Sequence, residues 1–156
     1  GRYVSFENVH TAPRPRQMPG PPIWVGGASE AAMLRTIRLA DAWHPIRIKT
    51  PYFADQQVPE LRRLADTQGR PMPALCPRLR FEITASPIRS DERFMGHGSI
   101  DQVRADLTEL EALGCEHVLL DSFHDDVAAT TRPEAAWSML AQVANSAFDL
   151  ARETVL

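Results

Sequence analysis

Two adjacent glycines separate a strand-like run from a helix-like run, and this arrangement could bind an anion. The segment reads PPIWVGGASEAAMLRTIRLA from Pro21, with Gly26 and Gly27 followed by Ala28 and Ser29. Without Cβ atoms, the glycines let the backbone approach a ligand closely and adopt positive φ. The N–H groups at the helix start favour a phosphate, and Ser29 can either cap the helix or offer its hydroxyl to that anion. The alternative is that the pair only forms a tight turn.

This turn is not one of the usual nucleotide motifs, because the chain has neither GxGxxG nor a P-loop lysine here. A second group of interest follows one helix later. Trp43 and His44 lie in a short strand-like run, AWHPI, just before Pro45, which stops regular strand pairing. In a parallel α/β protein, ligands bind beyond the C-terminal ends of the strands. Both groups therefore lie where a ligand is expected.

Other residue types suggest chemistry less strongly. The histidines have no HExxH or paired spacing typical of zinc, and GxSxG is absent. The run HDD at 124–126 is either a weak metal site or, more simply, a solvated loop. Asp121 and Ser122 end a predicted strand. They either contact a ligand or are an ordinary polar end of the strand. Cys76 and Cys115 are interpreted as small core residues.

Arg78 and Arg80 alternate with apolar residues in ALCPRLRFEIT, so both point to one face of a strand. That face either meets a ligand phosphate or carboxylate, or lies against the helices. Leu79, Phe81 and Ile83 take the opposite face. The sequence leaves the choice open.

Composition excludes several classes of protein. The 156 residues carry a net charge of −3, so no general basic field exists for nucleic acid or an acidic membrane surface. No apolar run approaches the roughly 20 residues of a transmembrane helix, and GRYVSFENVH lacks a secretory pattern. Two cysteines are too few for a disulfide framework, which makes a reducing, cytoplasmic setting the default expectation.

Strand and helix patterns alternate four times, which predicts an α/β fold with a parallel sheet and right-handed βαβ units. The predicted strands cover 23–27, 42–46, 74–84 and 115–123, and the predicted helices cover about 29–40, 55–68, 99–113 and 133 onward. A proline-rich, extended lead-in precedes them, so the chain divides into 1–22 and 23–156.

The helix ends carry recognisable signals. Ser99 with Gln102 forms one predicted capping box, and Thr131 with Glu134 forms a second. Glycine and proline after residue 68, and Gly114, predict the ends of the second and third helices. The predicted inward-facing residues are Ala32, Leu34, Ile37, Leu39 and Ala40 in the first helix, Val58, Leu61, Leu64 and Ala65 in the second, and Ile100, Val103, Leu107, Leu110 and Leu113 in the third.

Three blocks in order, PRPRQMPGPPIWVGGAS, LADAWHP and GSIDQVRADLTELEALGCEHVLLD, resemble the C-terminal half of the luciferase-like monooxygenases, especially the branch using the deazaflavin coenzyme F420. The resemblance covers roughly residues 3–125. Ala42 stands where that family commonly has glycine in "DGW", a small change.

The resemblance implies a (β/α)₈ barrel with a flavin (FMN) or deazaflavin (F420) across its C-terminal mouth. It implies that Gly26, Gly27, Ala28 and Ser29 contact the cofactor's phosphate or ribityl arm. It also implies that Trp43 and His44 line the pocket near the ring system or the substrate. The alternatives are a core aromatic for Trp43 and a histidine hydrogen-bonded at a strand end for His44. The activity that the resemblance implies is that of a cofactor-dependent oxidoreductase or monooxygenase acting on a small molecule.

Four βα units make a half-barrel equivalent to strands five to eight, since a complete barrel needs about 250 residues. Gly1 in place of methionine suggests a fragment boundary. A half-barrel exposes two sheet edges and an apolar face, so we expect a homodimer or pairing with a complementary N-terminal half-barrel. The alternative is a half-barrel that dimerises as a structural or phosphate-binding module without redox activity.

Overall fold

A computed structural model describes residues 2–10, 12–89, 91, 93–123, 127, 131–149 and 154–155. Strands and helices alternate through most of the chain. In chain order the elements are β1 (Trp24–Gly26), α1 (Glu30–Leu39), β2 (Ala42–His44), α2 (Val58–Thr67), β3 (Ala74–Leu75), β4 (Arg78–Arg80), β5 (Glu82–Ile83), β6 (His97–Gly98), α3 (Ile100–Ala112), β7 (Leu119–Asp121), α4 (Glu134–Ser146), β8 (Phe148–Asp149) and β9 (Thr154–Val155). A π-helical turn over Phe53–Gln57 leads directly into α2.

The four main strands are β1, β2, β3 continued by β4, and β7. They are parallel and lie side by side in chain order, which confirms the predicted α/β class. Strand β1 pairs with β2, and β2 pairs with β3. Strand β4 pairs with β7. Isolated bridges from Ile46 to Arg78 and from Leu75 to Cys115 continue the same parallel arrangement. A short parallel pair, β5 with β6, lies beyond β4.

The predicted strand over 74–84 is wrong as one continuous element, because it is divided into β3, β4 and β5. Pro77 lies between β3 and β4 and has no N–H to donate to a ladder. At Phe81 the strand changes neighbours. The Phe81 amide donates to Asp121 O in β7 at 2.8 Å, whereas the next amide, of Glu82, donates to Gly96 O at 3.0 Å.

The helix starts follow the sequence in two cases and depart from it in one. Ser29 caps α1, and Ser99 with Gln102 forms the predicted capping box of α3. The second predicted box, at Thr131 and Glu134, is wrong. Helix α4 begins at Glu134, with Pro133 at the N-cap and no side-chain cap, so Thr131 is two residues too early to cap it. The hairpin of β8 and β9 was also not predicted.

One hydrophobic core lies between the sheet and the helices. It takes alternate strand residues such as Trp43, Leu75 and Leu79, and it takes the predicted inward residues of α2 together with Val103, Leu107 and Leu110 of α3. The prediction for Leu39 is wrong, because that side chain is 69% exposed. It ends α1 and borders a surface groove of about 330 Å³ that is also lined by the exposed Arg35 and Arg38.

The opposite side of the sheet is not covered by any described helix. Trp24, Ile46 and Leu119 lie on this side and remain 39%, 50% and 43% exposed. We call this side the open face. In the described part of the lead-in, residues 2–10 and 12–22, no residue belongs to a helix or strand. Among the described helices, none is long and apolar enough to cross a membrane.

Candidate functional site

The glycine turn after β1 depends on both of its glycines. Gly27 has φ +99°, a conformation that strains any residue with a side chain. A Cβ on Gly27 would lie 2.9 Å from the Ala32 Cβ in α1, and one on Gly26 would lie 3.2 Å from the His44 carbonyl oxygen in β2. The turn is therefore tight against both neighbouring elements.

The start of α1 offers hydrogen-bond donors beside this turn. Ser29 Oγ accepts from the Ala32 amide at 3.3 Å, and the hydroxyl hydrogen of Ser29 is left to donate elsewhere. The amides of Glu30 and Ala31, the first two helical residues, have no acceptor within the helix. Capping and anion binding are thus compatible here, although the sequence posed them as alternatives for Ser29.

Trp43 holds the glycine turn in place from inside the core. Its indole is fully buried and stacks on Phe53, with ring centroids 5.8 Å apart and 23° between the planes. Its Nε1 donates to the Gly27 carbonyl at 2.7 Å. The structure therefore gives Trp43 the place of a core aromatic that supports the turn. Contact with a substrate stays a prediction.

His44 lies at the end of β2, directly beside Gly26 in the register of the sheet. Its Nδ1 forms a short hydrogen bond with the Cys76 carbonyl. Because a carbonyl only accepts, Nδ1 carries the proton, and a neutral ring then presents Nε2 as an acceptor. The His44 ring packs against Trp24, with centroids 5.4 Å apart, and Trp24 also contacts His117.

Trp24 was missed by sequence reasoning. The available signal was the period of two in IWVGG, which puts Trp24 and Gly26 on one face of β1. Together with His44 it forms an aromatic surface on the open face. The predicted pocket role of His44 stays a prediction.

The arginines of β4 lie on the open face, which resolves the alternative that the sequence left open. Leu79, between the two arginines, and Phe81, after them, are fully buried in the core. Arg78 and Arg80 therefore point to the opposite side of the strand. Arg78 donates from Nε (2.9 Å) and Nη2 (2.5 Å) to Asp121 Oδ2 in β7. Asp121 thus pairs with an arginine at the C-terminal end of its strand.

A cavity of about 300 Å³ adjoins the glycine turn and the start of α1. Ala28, Glu30 and Met33 of the turn and α1 line it, together with Tyr52 and the end of the π-helical turn. Among the described residues, the charged ones that line it are Glu30 and Glu60, and Glu60 is paired with Arg63. The cavity gives solvent access to the donors at the start of α1.

Neither cysteine has the character of a nucleophile. Burial raises the pKa of the Cys115 thiol to about 12, and it also raises the pKa of Cys76. The thiolate fraction at neutral pH is therefore very small. Among the described residues no group of three or more His, Cys, Asp or Glu could hold a metal ion. The run at 124–126 lies outside the described residues.

The chain was compared with known protein families. The model of the luciferase-like monooxygenases matches residues 1–93, more than half of the chain. The chain belongs to the luciferase-like monooxygenase family. No curated protein matches it.

This match supports an oxidoreductase or monooxygenase, and members of the family use flavin or F420 cofactors. It includes the lead-in, the glycine turn, Trp43 and His44, and it ends at residue 93. The block GSIDQVRADLTELEALGCEHVLLD, on which the sequence resemblance also relied, lies beyond the matched residues. The family implies a (β/α)₈ barrel, and the four main parallel strands are consistent with part of one.

Proposed function

We propose that this luciferase-like chain forms the phosphate-binding part of an oxidoreductase site for FMN or F420. The observation that carries the proposal is the glycine turn. Gly26 and Gly27 bring the backbone to the edge of the sheet, and the free amides of Glu30 and Ala31 begin a helix beside it. Donors of this kind, at the positive end of a helix, suit a phosphate.

The residues fit such a cofactor in their roles. The amides at the start of α1 and the Ser29 hydroxyl would hold the phosphate, and the Trp43 indole fixes the turn through the Gly27 carbonyl. His44 and Trp24 offer aromatic rings on the open face beside the turn. A bound flavin or deazaflavin supplies the redox chemistry by accepting or donating a hydride. The chain itself binds, orients and excludes water, and no catalytic acid or base is assigned.

An absorbance spectrum tests this proposal against the alternative of a half-barrel without a redox cofactor. The chain is equilibrated with FMN or F420 and passed through a desalting column. Retained near-UV and visible absorbance supports the proposal. A colourless chain with both cofactors contradicts it and favours the non-redox module.

Glu30 provides a test at the site itself. Its carboxylate lies at the first position of α1, where a phosphate would also bind. We expect Glu30→Gln to tighten FMN binding about two- to fivefold, because it removes a repulsion of about 0.3–1 kcal/mol between the carboxylate and the phosphate. Titration of flavin fluorescence measures the affinity.

The matched control for Glu30→Gln is Glu134→Gln, which removes the same charge from the same position of α4. We expect the control to leave FMN affinity unchanged. An equal effect of both variants, or weaker binding by Glu30→Gln, would contradict a phosphate at the start of α1.

The open face bears on the partners of the chain. We propose that the four main strands form half of a (β/α)₈ barrel, and that a second copy or a complementary half-barrel covers the open face. Trp24, Ile46 and Leu119 leave apolar surface exposed on this face, and exposed apolar surface of this kind is typical of a face that a partner covers. A dimer in a native mass spectrum supports self-association, and a monomer at micromolar concentration contradicts it.

A further inference from the structure

Arg80 differs from the other arginine of its strand in having no described counterion. It ends β4 on the open face, opposite Asp121 of β7 in the register of the sheet. Its Nε is shielded from solvent and has no hydrogen-bond partner. A shielded guanidinium N–H without an acceptor is costly, because desolvation is not repaid by a hydrogen bond.

The nearest carboxylate is already used. Asp121 Oδ2 accepts two hydrogen bonds from Arg78, and Asp121 Oδ1 accepts from the Phe123 amide at 3.1 Å. Arg78 is therefore neutralised, and Arg80 contributes a positive charge that no described residue pairs with at this edge of the sheet.

We propose that Arg80 binds an oxyanion, a carboxylate or a similar group, on the substrate of this protein. A planar guanidinium donates two parallel hydrogen bonds to such a group. The ligand lies on the open face at the C-terminal ends of the strands. The exposed side chains of Ile46 and Leu119 are level with Arg78, two residues before Arg80 on the same face. The substrate class is thus a small organic acid with an apolar or aromatic body.

Distance separates this anion from the cofactor phosphate. Neighbouring strands are about 4.8 Å apart, so β4 lies roughly 10 Å from β1 across β2. One phosphate held at the turn after β1 does not also reach a residue two strands away. That the oxyanion belongs to a substrate rests on the proposed function, whereas the oxyanion site itself rests on Arg80 alone.

The test compares benzoate with benzamide, which has a similar shape and no charge. Binding is followed through the Nε–Hε signal of Arg80 in a nitrogen-15 NMR spectrum, with no flavin present. We expect benzoate to bind at least about tenfold more tightly than benzamide, since a charge-assisted pair contributes on the order of 1.5–3 kcal/mol. Equal affinities, or no benzoate binding, would overturn the proposal.

Variants localise the effect to Arg80. Arg80→Met is expected to bring the ratio of the two affinities to about one, and Arg80→Lys to keep part of it, because lysine retains the charge without the planar pair of donors. In these variants binding is followed by tryptophan fluorescence. The control Arg62→Met removes the same charge from an exposed position of α2 and is expected to keep the full ratio. A ratio unchanged in Arg80→Met would also overturn the proposal.

FMN and riboflavin identify the source of the oxyanion. Arg80→Met is expected to leave the ratio of FMN to riboflavin affinity unchanged. A fall in that ratio would assign the oxyanion to the cofactor phosphate and overturn the assignment to substrate. Because benzoate is measured without flavin, failure of the cofactor proposal and failure of this one give different results.

Discussion

Replacing Asp106 with alanine is expected to lower the free energy of unfolding by about 3–5 kcal/mol, the cost of leaving a buried charge without its partner. Asp106 lies in α3 and is nearly fully buried, as is Arg93. Its two oxygens accept from Arg93 at 2.9 and 2.6 Å, and Oδ2 also accepts from the Gly96 amide at 2.8 Å. Alanine removes every one of these acceptors.

Asp106→Asn is the matched variant and should lose less stability than alanine, because its amide oxygen still accepts from one of these donors, although Arg93 loses its counter-charge. Burial is the main cause that raises the pKa of Asp106, from 3.8 to about 6. In the wild type, the unfolded chain loses this proton near pH 4 and the folded chain near pH 6. Between these values the folded state binds more protons, so stability falls as pH rises.

Urea unfolding of the three proteins between pH 4 and 8 measures both effects. The wild type should lose stability relative to Asp106→Asn from about pH 4 to 6, and the difference should be constant above that range. A difference independent of pH, or an alanine variant as stable as the wild type, would contradict the role given to Asp106.

Gly27→Ala is expected to weaken FMN or F420 binding at least about tenfold, which corresponds to one lost hydrogen bond to a charged group. The new Cβ would lie 2.9 Å from the Ala32 Cβ, and φ of +99° is unfavourable for alanine. Relief of this strain moves the turn away from the start of α1. We also expect a loss of about 1–3 kcal/mol in stability.

Gly69→Ala separates loss of the site from general backbone strain. Gly69 follows α2 with φ +60°, and nothing lies within 4 Å of a Cβ at that position. It should lose stability without losing cofactor affinity. If both variants bind the cofactor like the wild type, the turn does not hold the phosphate.

The sequence predicted the parts of the fold that depend on local signals. The period of about 3.6 residues located Leu61 and Leu64 in the core, and the spacing of Ser99 and Gln102 located the start of α3. Alternation along β4 correctly separated the arginines from Leu79. These features each depend on residues a few positions apart.

What the sequence missed depends on contacts between distant residues. The division of the third strand follows from the change of partner at Phe81, and the buried pairing of Arg93 with Asp106 needs a loop folded back on α3. The face taken by Arg78 and Arg80 was settled only by the core on the other side of β4. The sequence left open whether Trp43 is a core aromatic, and its burial follows from Phe53 in the π-helical turn.

The most direct test of the account compares FMN with riboflavin, and F420 with its deazaflavin core without the phosphate, by calorimetric titration of the wild-type chain. Because the donors at the start of α1 would recognise the phosphate, each cofactor is compared with an analogue that lacks the phosphate. We expect FMN, F420 or both to bind at least about tenfold more tightly than the matching analogue. Equal affinity within both pairs, or no binding of any of the four, would contradict it.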